Sequence, residues 1–492
     1  MKKNDAIYIG GGITSNGLLY TIPVAIKICK KYKISRIIFE DYLELKILNI
    51  PYMKNLLSSY KIEYVNDLMS INLRNKYFFL ILNLIEIIFL FLRLNRKNIL
   101  DKKNSFFQKE LLHSAWDSSI RSSKDGTYIP NIRNKFVACL NSIRKKKIAK
   151  FLSIEQKVRI SILAHTVYEH RALLSSLRKY KVKIFHINGF NFFKQGNLKD
   201  HHWELIKKSF YEFIIKIITV KNIKNYWILR NKGKVGNHEA KIATQIKSKL
   251  NKDIRPNIIM LHVFRDSPYA FIKGERIFCD FIDWFTKTLE IISRSEEQWQ
   301  IRFHPVAKSW GEDQEIWIRE TLKKVSYKKN NIFIDKLYFS NKEVFNSAKR
   351  VVTFSGTASM EAAANGIKPI TIAETTLSYL NKDLTIKAKN LQHYEDLLLK
   401  NSNSTDFQIN SKQSMQAKYC LFIREELLTI SKDVGASKIF LSSSRKKMNK
   451  DFVSISNKLK GNDSYYNDLA DILCSKIGLS FKKKYIKIIK ND

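Results

Sequence analysis

VVTFSGTASMEAAANGIKPI, residues 351–370, combines a strand, a turn and a helix in one short stretch. The apolar run Arg350–Phe354 predicts a buried strand, and the small residues Ser355–Ser359 predict a turn. An Ala-rich helix is expected from Met360 to Asn365-Gly366, a typical helix end. Such a turn presents free backbone N–H groups and the positive end of the helix dipole. The sequence therefore predicts an anion-binding site at this turn.

A second segment, WQIRFHP at residues 299–305, strengthens this prediction. It indicates a short buried strand, Gln300–Phe303, that carries the basic residue Arg302 at its end and is followed by His304-Pro305. Taken alone, a Ser/Thr turn is usually a helix cap and a His-Pro pair usually a turn. The two segments are separated by one predicted helix (Gln314–Val325) and one predicted strand (Asn331–Asp335). If the strands are parallel neighbours, their ends meet in one crevice, which favours a nucleotide phosphate site.

The start of the chain indicates a βαβ unit. Ala6–Ile9 predicts a strand, Gly10-Gly11-Gly12 a turn, and Ser15–Lys31 an amphipathic helix. The spacing Gly10-x-Gly12-x-x-x-x-Gly17 departs from the dinucleotide fingerprint G-x-G-x-x-G. Two readings of the glycines, a loop lining a cleft and a plain tight turn, stay open.

Short apolar strands continue to alternate with helices along the chain, which predicts parallel sheets covered on both faces. A length of 492 residues fits two α/β domains. We expect the first domain in residues 1–240 and the second in residues 250–435, joined through the polar, basic stretch 221–256. Residues 436–492 predict a basic helical extension that crosses back to the first domain or rests on lipid.

Charge is the outlying feature of the composition. The chain has 87 Lys and Arg against 45 Asp and Glu, a formal net charge of +42. Nucleic acid, anionic membranes and anionic substrates would all suit such a surface, although a Lys-, Asn- and Ile-rich composition accounts for part of the excess. The basic residues are dispersed and no RNP-like or OB-like aromatic pattern is present, so no specific nucleic-acid partner is expected.

The cysteines and the N-terminus indicate a cytoplasmic protein. Five widely spaced cysteines without a C-x-x-C pair indicate reduced thiols. Asp5 and Gly10-Gly11-Gly12 interrupt any apolar signal-peptide core. The sequence contains neither H-E-x-x-H nor a P-loop motif, and Asp280-x-x-Asp283 is not the D-x-D of metal-dependent transferases, so no metal and no cofactor are expected.

One apolar segment bears on the membrane. Residues 77–94, YFFLILNLIEIIFLFLRL, are flanked by Lys76 and Arg96-Lys97. The length is near the minimum for a span, but Asn83 and Glu86 lie at its centre, where a charge is costly. We expect a buried or membrane-interfacial helix, and peripheral association with the anionic inner-membrane surface.

Residues 258–375 resemble the C-terminal half of GT-B glycosyltransferases of the capsule polysaccharide biosynthesis group. The resemblance is carried by HVFRDSP (262–268), FCDFIDW (278–284), RFHP (302–305) and SGTASMEA (355–362). The His-Pro pair and the Ser/Thr turn are similar to those of CMP-sugar-dependent Kdo- and sialyltransferases. A looser likeness in the first half includes residues 117–121 and 165–168. Arg302 stands where these enzymes often have Lys, which changes the geometry of a phosphate contact.

This resemblance implies a GT-B fold, with two Rossmann-like domains facing each other across a cleft. It implies transfer of a sugar from a nucleotide-activated donor, with CMP-Kdo-like donors first, to a growing surface polysaccharide or a lipid-linked lipopolysaccharide acceptor, without a metal ion. Catalysis would need positive dipoles at the leaving phosphate. The residues expected to bind the donor are Arg302, His304, Ser355, Gly356, Thr357, Ser359 and Glu361.

The general base is sought in the first domain. The candidates that accompany His304 as catalytic residues are Asp117, Asp125 and His165, in that order. Asp125-Gly126 is similar to an acidic-acidic-Gly motif, but Lys124 replaces the first carboxylate. Other activities stay open: a CDP-polyol phosphotransferase or sugar-nucleotide epimerase on the same scaffold, or a basic protein that binds nucleic acid or membrane.

Overall fold

The structure is a computed structural model, and it contains the helices and strands described below. The residues that it describes are 5–10, 15–40, 57–65, 76–101, 103–123, 130–164, 166–188, 191–194, 208–236, 238–244, 256–266, 276–325, 331–373, 375, 377, 380–401, 404–428 and 464–474. Of the candidate site residues named above, Gly11, Gly12, Asp125 and His165 lie outside this set.

The first sheet has six strands in the order β3-β2-β1-β4-β5-β6. They are β1 (Ala6–Gly10), β2 (Arg36–Phe39), β3 (Glu63–Val65), β4 (Val158–Leu163), β5 (Lys183–Asn188) and β6 (Asn191–Lys194). Neighbours are parallel except β5 and β6, which are antiparallel. The first strand lies inside the sheet, with β2 and β3 on one side and β4 to β6 on the other. This is a doubly wound order.

Helices connect these strands. They are α1 (Ser15–Tyr32), α2 (Lys76–Arg93), α3 (Arg96–Leu100), α4 (Phe106–Arg121), α5 (Ile132–Ile154) and α6 (Glu169–Lys179). Three helices then lead to the second sheet: α7 (Lys208–Ile217), α8 (Val220–Asn231) and α9 (His238–Thr244). The apolar strand β1 is buried along its whole length, as expected where helices cover both faces of a parallel sheet.

The second sheet also has six strands, in the order β12-β11-β10-β7-β8-β9, and all neighbours are parallel. They are β7 (Asn257–Met260), β8 (Trp299–Arg302), β9 (Ile332–Asp335), β10 (Arg350–Thr353), β11 (Ile370–Thr371) and β12 (Ile386–Lys387). The helices are α10 (Phe281–Ile292), α11 (Gln314–Lys324), α12 (Asn341–Ser347), α13 (Thr357–Ala364), α14 (Leu391–Leu399) and α15 (Ser411–Phe422). A π-helical turn, Ile423–Leu427, extends α15.

Both sheets therefore repeat one winding pattern, with the first strand of each unit inside the sheet. Two doubly wound α/β units in one chain form the architecture of the GT-B fold, and the predicted fold class is confirmed. The helix expected from Met360 begins earlier, at Thr357, because Gly356 already adopts the extended backbone of an N-cap. The predicted helix and strand between the two motifs correspond to α11 and β9.

The end of the chain returns to the first sheet. In the C-terminal extension, the structure describes one helix, α16 (Ser464–Cys474), which packs on α1. Lys31 Nζ lies 2.5 Å from Asp471 Oδ1 between these helices. The largest core cluster joins buried side chains of β1, β4 and α1 with those of α7, α8 and α15. Among the described residues, no helix combines the length and apolar character needed to cross a bilayer.

A buried ion network links α8, α13 and the π-helical turn. Arg230 Nη2 donates to Glu361 Oε1 at 2.9 Å, and Arg230 Nε donates to Glu425 Oε2 at 2.9 Å. Tyr226 also donates to Glu425 Oε2, at 2.5 Å. Asn341 Nδ2 donates to the other oxygen of Glu361 at 2.7 Å. One guanidinium therefore pairs with two carboxylates whose side chains are almost fully withdrawn from water.

We expect Arg230→Ala to lower the free energy of unfolding by about 3–5 kcal/mol, because it leaves two buried carboxylates without their cation. Urea unfolding followed by circular dichroism measures this loss. Arg294→Ala is the matched control, since Arg294 pairs with Glu395 at 2.7 Å on the surface. That variant should lose less than about 1 kcal/mol. Equal losses in the two variants would contradict the bracing role of Arg230.

Candidate functional site

The second sheet has its crevice at the carboxyl ends of β7 and β10. The chain leaves β7 toward β8 on one side and leaves β10 toward β11 on the other. In open α/β sheets, ligands bind at such a switch point. His262 follows the end of β7, His304 follows the neighbouring strand β8, and the Ser355 turn follows β10. The two predicted motifs therefore lie at the ends of strands separated only by β7.

His262 forms the floor of this crevice. Its ring stacks on Phe281, with 4.6 Å between ring centroids and an angle of 8° between planes. Its Nε2 lies 3.3 Å from Thr353 Oγ1, at the end of β10. The pKa of His262 is lowered to about 3, mainly by burial and to a smaller extent by the nearby His304. His262 is therefore a neutral imidazole at pH 7.

His304 lies beside His262, with 6.3 Å between the two ring centroids. The backbone N–H of His304 donates to Gln314 Oε1 at 2.8 Å, and this bond fixes the chain after β8. The N–H of Val306 donates to His304 Nδ1 at 3.4 Å. Burial lowers the pKa of His304 to about 4. A neutral imidazole that accepts at Nδ1 carries its proton on Nε2, and this N–H is then a donor for a ligand.

The N-terminus of α13 completes the crevice. Gly356 is its N-cap and provides no side-chain cap, while Ser355, Gly356 and Thr357 are half-buried. A Cβ on Gly356 would lie 3.0 Å from His262 Cε1, so only glycine fits here without displacing a neighbour. Ser359 is buried, and its hydroxyl donates to the Gly356 carbonyl at 2.8 Å. Ser359 therefore shapes the turn, and the first-turn amides of α13 face the crevice.

Two predicted donor contacts have other partners in this arrangement. The guanidinium of Arg302 is buried and donates to Asp335, to Asn341 Oδ1 at 2.9 Å and to the Phe339 carbonyl at 2.8 Å. Both carboxylate oxygens of Glu361 accept from protein donors in the ion network described above. Sequence reasoning places both residues near the crevice but does not reveal these partners. We therefore assign Arg302 and Glu361 a bracing role behind the crevice.

The first candidate for the general base also has a different setting. The Asp117 carboxylate is fully buried, with Oδ2 3.6 Å from Arg276 Nη2 of the second domain. Beside it, Trp116 Nε1 donates to Asp280 Oδ2 at 3.2 Å. A carboxylate held this way contacts the other domain and has no open path to an acceptor. We assign Asp117 to the interdomain contact, and Asp125 and His165 stay predictions outside the described residues.

A further interdomain contact lies next to the crevice. Tyr168, the N-cap of α6, donates its hydroxyl to Asp266 Oδ1 at 2.6 Å. Its backbone has φ 53° and ψ −139°, an unusual conformation for a residue with a side chain. Arg121 lies over the ring of Trp310, 4.4 Å from its centroid, and its carbonyl accepts from Arg265 Nη2 at 3.3 Å. The first turn of α6 therefore faces the loop that follows β7.

This turn carries charged groups that the sequence analysis missed. His170 Nδ1 lies 3.9 Å from Glu40 Oε1, and His170 Nε2 lies 3.8 Å from Glu169 Oε1. Glu40 directly follows β2 and also pairs with Lys145 of α5. Because β1, β2 and β4 are parallel, their carboxyl ends bring Glu40, Gly10 and α6 to one edge of the first sheet. The position of Glu40 directly after a predicted strand is the sequence signal that could have identified it as a candidate site residue.

The missed histidine of the second sheet had a similar signal. His262 lies two residues after β7, as His304 lies two residues after β8. Gly10 ends β1, and a Cβ there would lie 2.4 Å from the hydroxyl oxygen of Tyr8, so close packing is reason enough for this glycine. Within the described part of the chain, no group of three His, Cys, Asp or Glu residues could hold a metal ion.

Comparisons with known proteins find similar folds and no family. No family model matches the chain, and no curated protein matches it. Among solved structures, the chain is similar to Thermosulfurimonas dismutans KpsC, a beta Kdo 2,4 transferase, with 12% identity over 60% of this chain and 87% of that chain at a TM-score of 0.35. It is also similar to CalG4, the calicheamicin glycosyltransferase, with 8% identity over 94% and 98% at a TM-score of 0.26.

A third similar structure is a putative UDP-N-acetylglucosamine 2-epimerase from Listeria monocytogenes, with 12% identity over 85% and 91% of the chains and a TM-score of 0.27. By name, the three similar structures are a Kdo transferase, a glycosyltransferase and a putative epimerase. At these identities and TM-scores, no activity is transferred from them. The function proposed below rests on the side chains and strand order of this chain.

The two neutral histidines make stability depend on pH. Above about pH 6.5, an ordinary histidine is neutral in the unfolded chain, as both are in the folded chain, so neither affects stability. Below that pH, His262 and His304 bind protons in the unfolded chain but stay neutral in the folded chain, where their pKa values are about 3 and about 4. Each histidine should then remove on the order of 2 kcal/mol of stability by pH 5.

We therefore expect His262→Gln to lose less stability than wild type when the pH falls from 7 to 5. Urea unfolding at the two pH values measures the difference. His393→Gln, which alters a histidine of α14, is the matched control and should lose as much as wild type. An identical loss in His262→Gln and wild type would show that His262 is not held neutral by the fold.

Proposed function

We propose that this protein is a glycosyltransferase that takes a sugar from a nucleotide-activated donor. The observation that supports this most is the convergence of three groups at the switch point of the second sheet. These groups are the uncapped first turn of α13 behind Gly356, the Nε2–H of His304, and His262 beneath them. Together they offer several hydrogen-bond donors and a helix dipole to one anion.

This arrangement suits a leaving group that gains negative charge. As the bond between the sugar and the nucleotide phosphate breaks, charge grows on the phosphate oxygens. The amides of Thr357 and Ala358 and the Nε2–H of His304 are fixed donors for that charge in a half-buried site. The donors are held by the protein beforehand, because Ser359 fixes the turn and Gln314 fixes His304. No group has to reorganise during the reaction.

The acceptor hydroxyl needs a base from the opposite side. His170 is the residue that we place there, because it lies between two carboxylates at the carboxyl edge of the first sheet. As general base, His170 takes the hydroxyl proton, and the carboxylates of Glu40 and Glu169 stabilise the imidazolium that results. The contact between Tyr168 and Asp266 connects this turn to the loop that follows His262.

The finer parts of the proposal come from the sequence. A CMP-activated sugar such as CMP-Kdo is the first donor to test, since the His-Pro pair and the Ser/Thr turn resemble those of CMP-sugar transferases. The acceptor proposed is a growing surface polysaccharide or a lipid-linked lipopolysaccharide precursor. The place of action proposed is the cytoplasmic face of the inner membrane, and the reaction proposed needs no metal ion. The +42 charge supports an anionic partner.

Two other reactions would use the same anion site. A CDP-polyol phosphotransferase and a sugar-nucleotide epimerase both need the nucleotide phosphates held at the switch point. They differ from a glycosyltransferase in the product: the first transfers the phosphate as well, and the second needs no acceptor. Product analysis by mass spectrometry separates the three.

Calorimetric titration with CMP, CDP, UDP and GDP at moderate salt tests the donor site. We expect one nucleotide to bind selectively. His304→Ala should weaken its binding about tenfold or more, because a charge-assisted hydrogen bond is worth about 1.5–3 kcal/mol. Gly356→Ala should also weaken it, since the new Cβ displaces His262 or the turn. His393→Ala is the control and should bind as wild type does. Equal binding of all nucleotides, or unchanged binding by both site variants, would contradict the proposal.

The base is tested separately. With the nucleotide sugar identified above, His170→Gln should lower kcat by about 10²–10⁴-fold, because proton removal from the acceptor is lost. Its affinity for the nucleotide should stay that of wild type, since His170 belongs to the first domain. Lys179→Gln, at the far end of α6, is the control. A kcat of wild-type size in His170→Gln would exclude His170 as the base.

A further inference from the structure

Helix α2 (Lys76–Arg93) has an apolar face that no described part of the chain covers. Eight large apolar side chains are exposed on it: Tyr77, Ile81, Leu82, Leu84, Ile85, Ile88, Phe89 and Leu92. The most exposed are Ile85 at 87%, Tyr77 at 82%, Ile81 at 72% and Leu92 at 70%. Exposed apolar side chains are ordinary when they are scattered, but a contiguous set marks an interaction surface.

The eight side chains form one continuous stripe. At about 100° per residue, they fall within an arc of roughly 160° around the helix axis. The opposite side, with Phe79, Ile87 and Leu90, is buried against the rest of the first domain. The helix is therefore seated by one apolar side and presents a second apolar side outward. The stripe runs from Tyr77 to Leu92 and is about 24 Å long.

Charge around the stripe is basic. Glu86 is the acidic residue of α2; it lies away from the stripe and pairs with Lys146 and with Lys147, whose Nζ is 3.1 Å from Glu86 Oε2. Beyond the C-terminal end of the helix, the exposed side chains include Arg96, Lys97 and Lys103. An apolar stripe with basic residues at its end matches a surface that is apolar below and anionic above.

We propose that α2 docks this protein on an anionic lipid bilayer, lying in the plane of the interface with its stripe among the acyl chains. The length and the central polar residues Asn83 and Glu86 fit a helix that lies on a membrane, and the described helices include none able to cross one. The proposal gives the membrane partner of the proposed function a defined surface. The docking proposal depends on the proposed function only for the biological reason why the protein would bind a membrane.

The docked helix also lies next to the junction of the two domains. Arg96 of α3 has Nη1 3.6 Å from Asp283 Oδ1 in α10, and the thiol of Cys279 contacts the Arg96 carbonyl at 3.5 Å. α2 precedes α3 by two residues. Docking through α2 therefore holds this junction at the membrane surface, where a lipid-linked acceptor would be presented.

Sedimentation with lipid vesicles tests the proposal on the full chain without any nucleotide. Wild type should bind vesicles of phosphatidylcholine mixed with phosphatidylglycerol more tightly than vesicles of phosphatidylcholine alone. Ile81→Ser/Ile85→Ser should weaken binding about tenfold or more, because two exposed apolar anchors are lost. Ile228→Ser/Ile316→Ser alters two isoleucines that are 52% and 53% exposed on α8 and α11, and this control should bind as wild type does.

The basic end of the stripe has its own variant. Lys97→Glu/Lys103→Glu should weaken binding to the mixed vesicles and leave binding to neutral vesicles unchanged. All altered side chains are exposed, so melting temperatures should match wild type and show that each variant is folded.

Three results would overturn the proposal. They are absence of wild-type binding to the mixed vesicles, equal binding by Ile81→Ser/Ile85→Ser and wild type, and equal binding of wild type to neutral and mixed vesicles. A fourth would be a dimer in light scattering that Ile81→Ser/Ile85→Ser dissociates, since a second copy would then cover the stripe. None of these results affects the nucleotide titration, so failure of docking and failure of the proposed reaction are told apart.

Discussion

The reversal of winding direction between β7 and β10 is the constraint on which the candidate site depends. Because β8 continues on one side of β7 and β11 on the other side of β10, the connections diverge and leave a crevice at the carboxyl ends of these strands. Backbone amides at the start of α13 and the imidazoles after β7 and β8 meet there for no reason other than strand order. The chemistry of the site then follows from what each strand end carries: a glycine that admits His262, and two histidines kept neutral by burial.

Residues of the same two sequence motifs have different roles, which the motifs alone do not reveal. Arg302 and Glu361 belong to the same two sequence motifs as His304 and Gly356, yet their side chains turn inward. Arg302 ties β8 to β9 through Asp335, while Glu361 ties α13 to α8 through Arg230. The helix that would bind the anion is thereby fixed to helices that also pack on the first sheet. Because these contacts hold α13 in place without a ligand, a bound anion does not have to order the helix.

Sequence reasoning reached the fold through local signals that do not need the partner strands. The apolar runs and the helix end at Asn365-Gly366 were read directly, and the alternation of strands and helices implied parallel sheets in two domains. The start of the helix was placed too late, at Met360, because the N-cap role of Gly356 was not recognised. Sequence reasoning could not predict which side chains pair when they lie far apart in the chain. Arg230 and Glu361 are 131 residues apart, and Asp117 and Arg276 come from different domains, so spacing gives no sign that they pair. His170 was missed because Glu40, which gives it significance, arrives from another strand. The exposed stripe of α2 was foreseen as an apolar segment, but only the structure separates its seated side from its open side.

The most direct measurement of the central claim is a crystal structure of the chain with the nucleotide that binds most tightly. We expect a phosphate of that nucleotide within hydrogen-bond distance of the amides of Thr357 and Ala358 and of His304 Nε2, with His262 beneath it. A phosphate bound elsewhere, such as at the turn after β1 or among surface lysines, would show that the switch point of the second sheet is not the donor site.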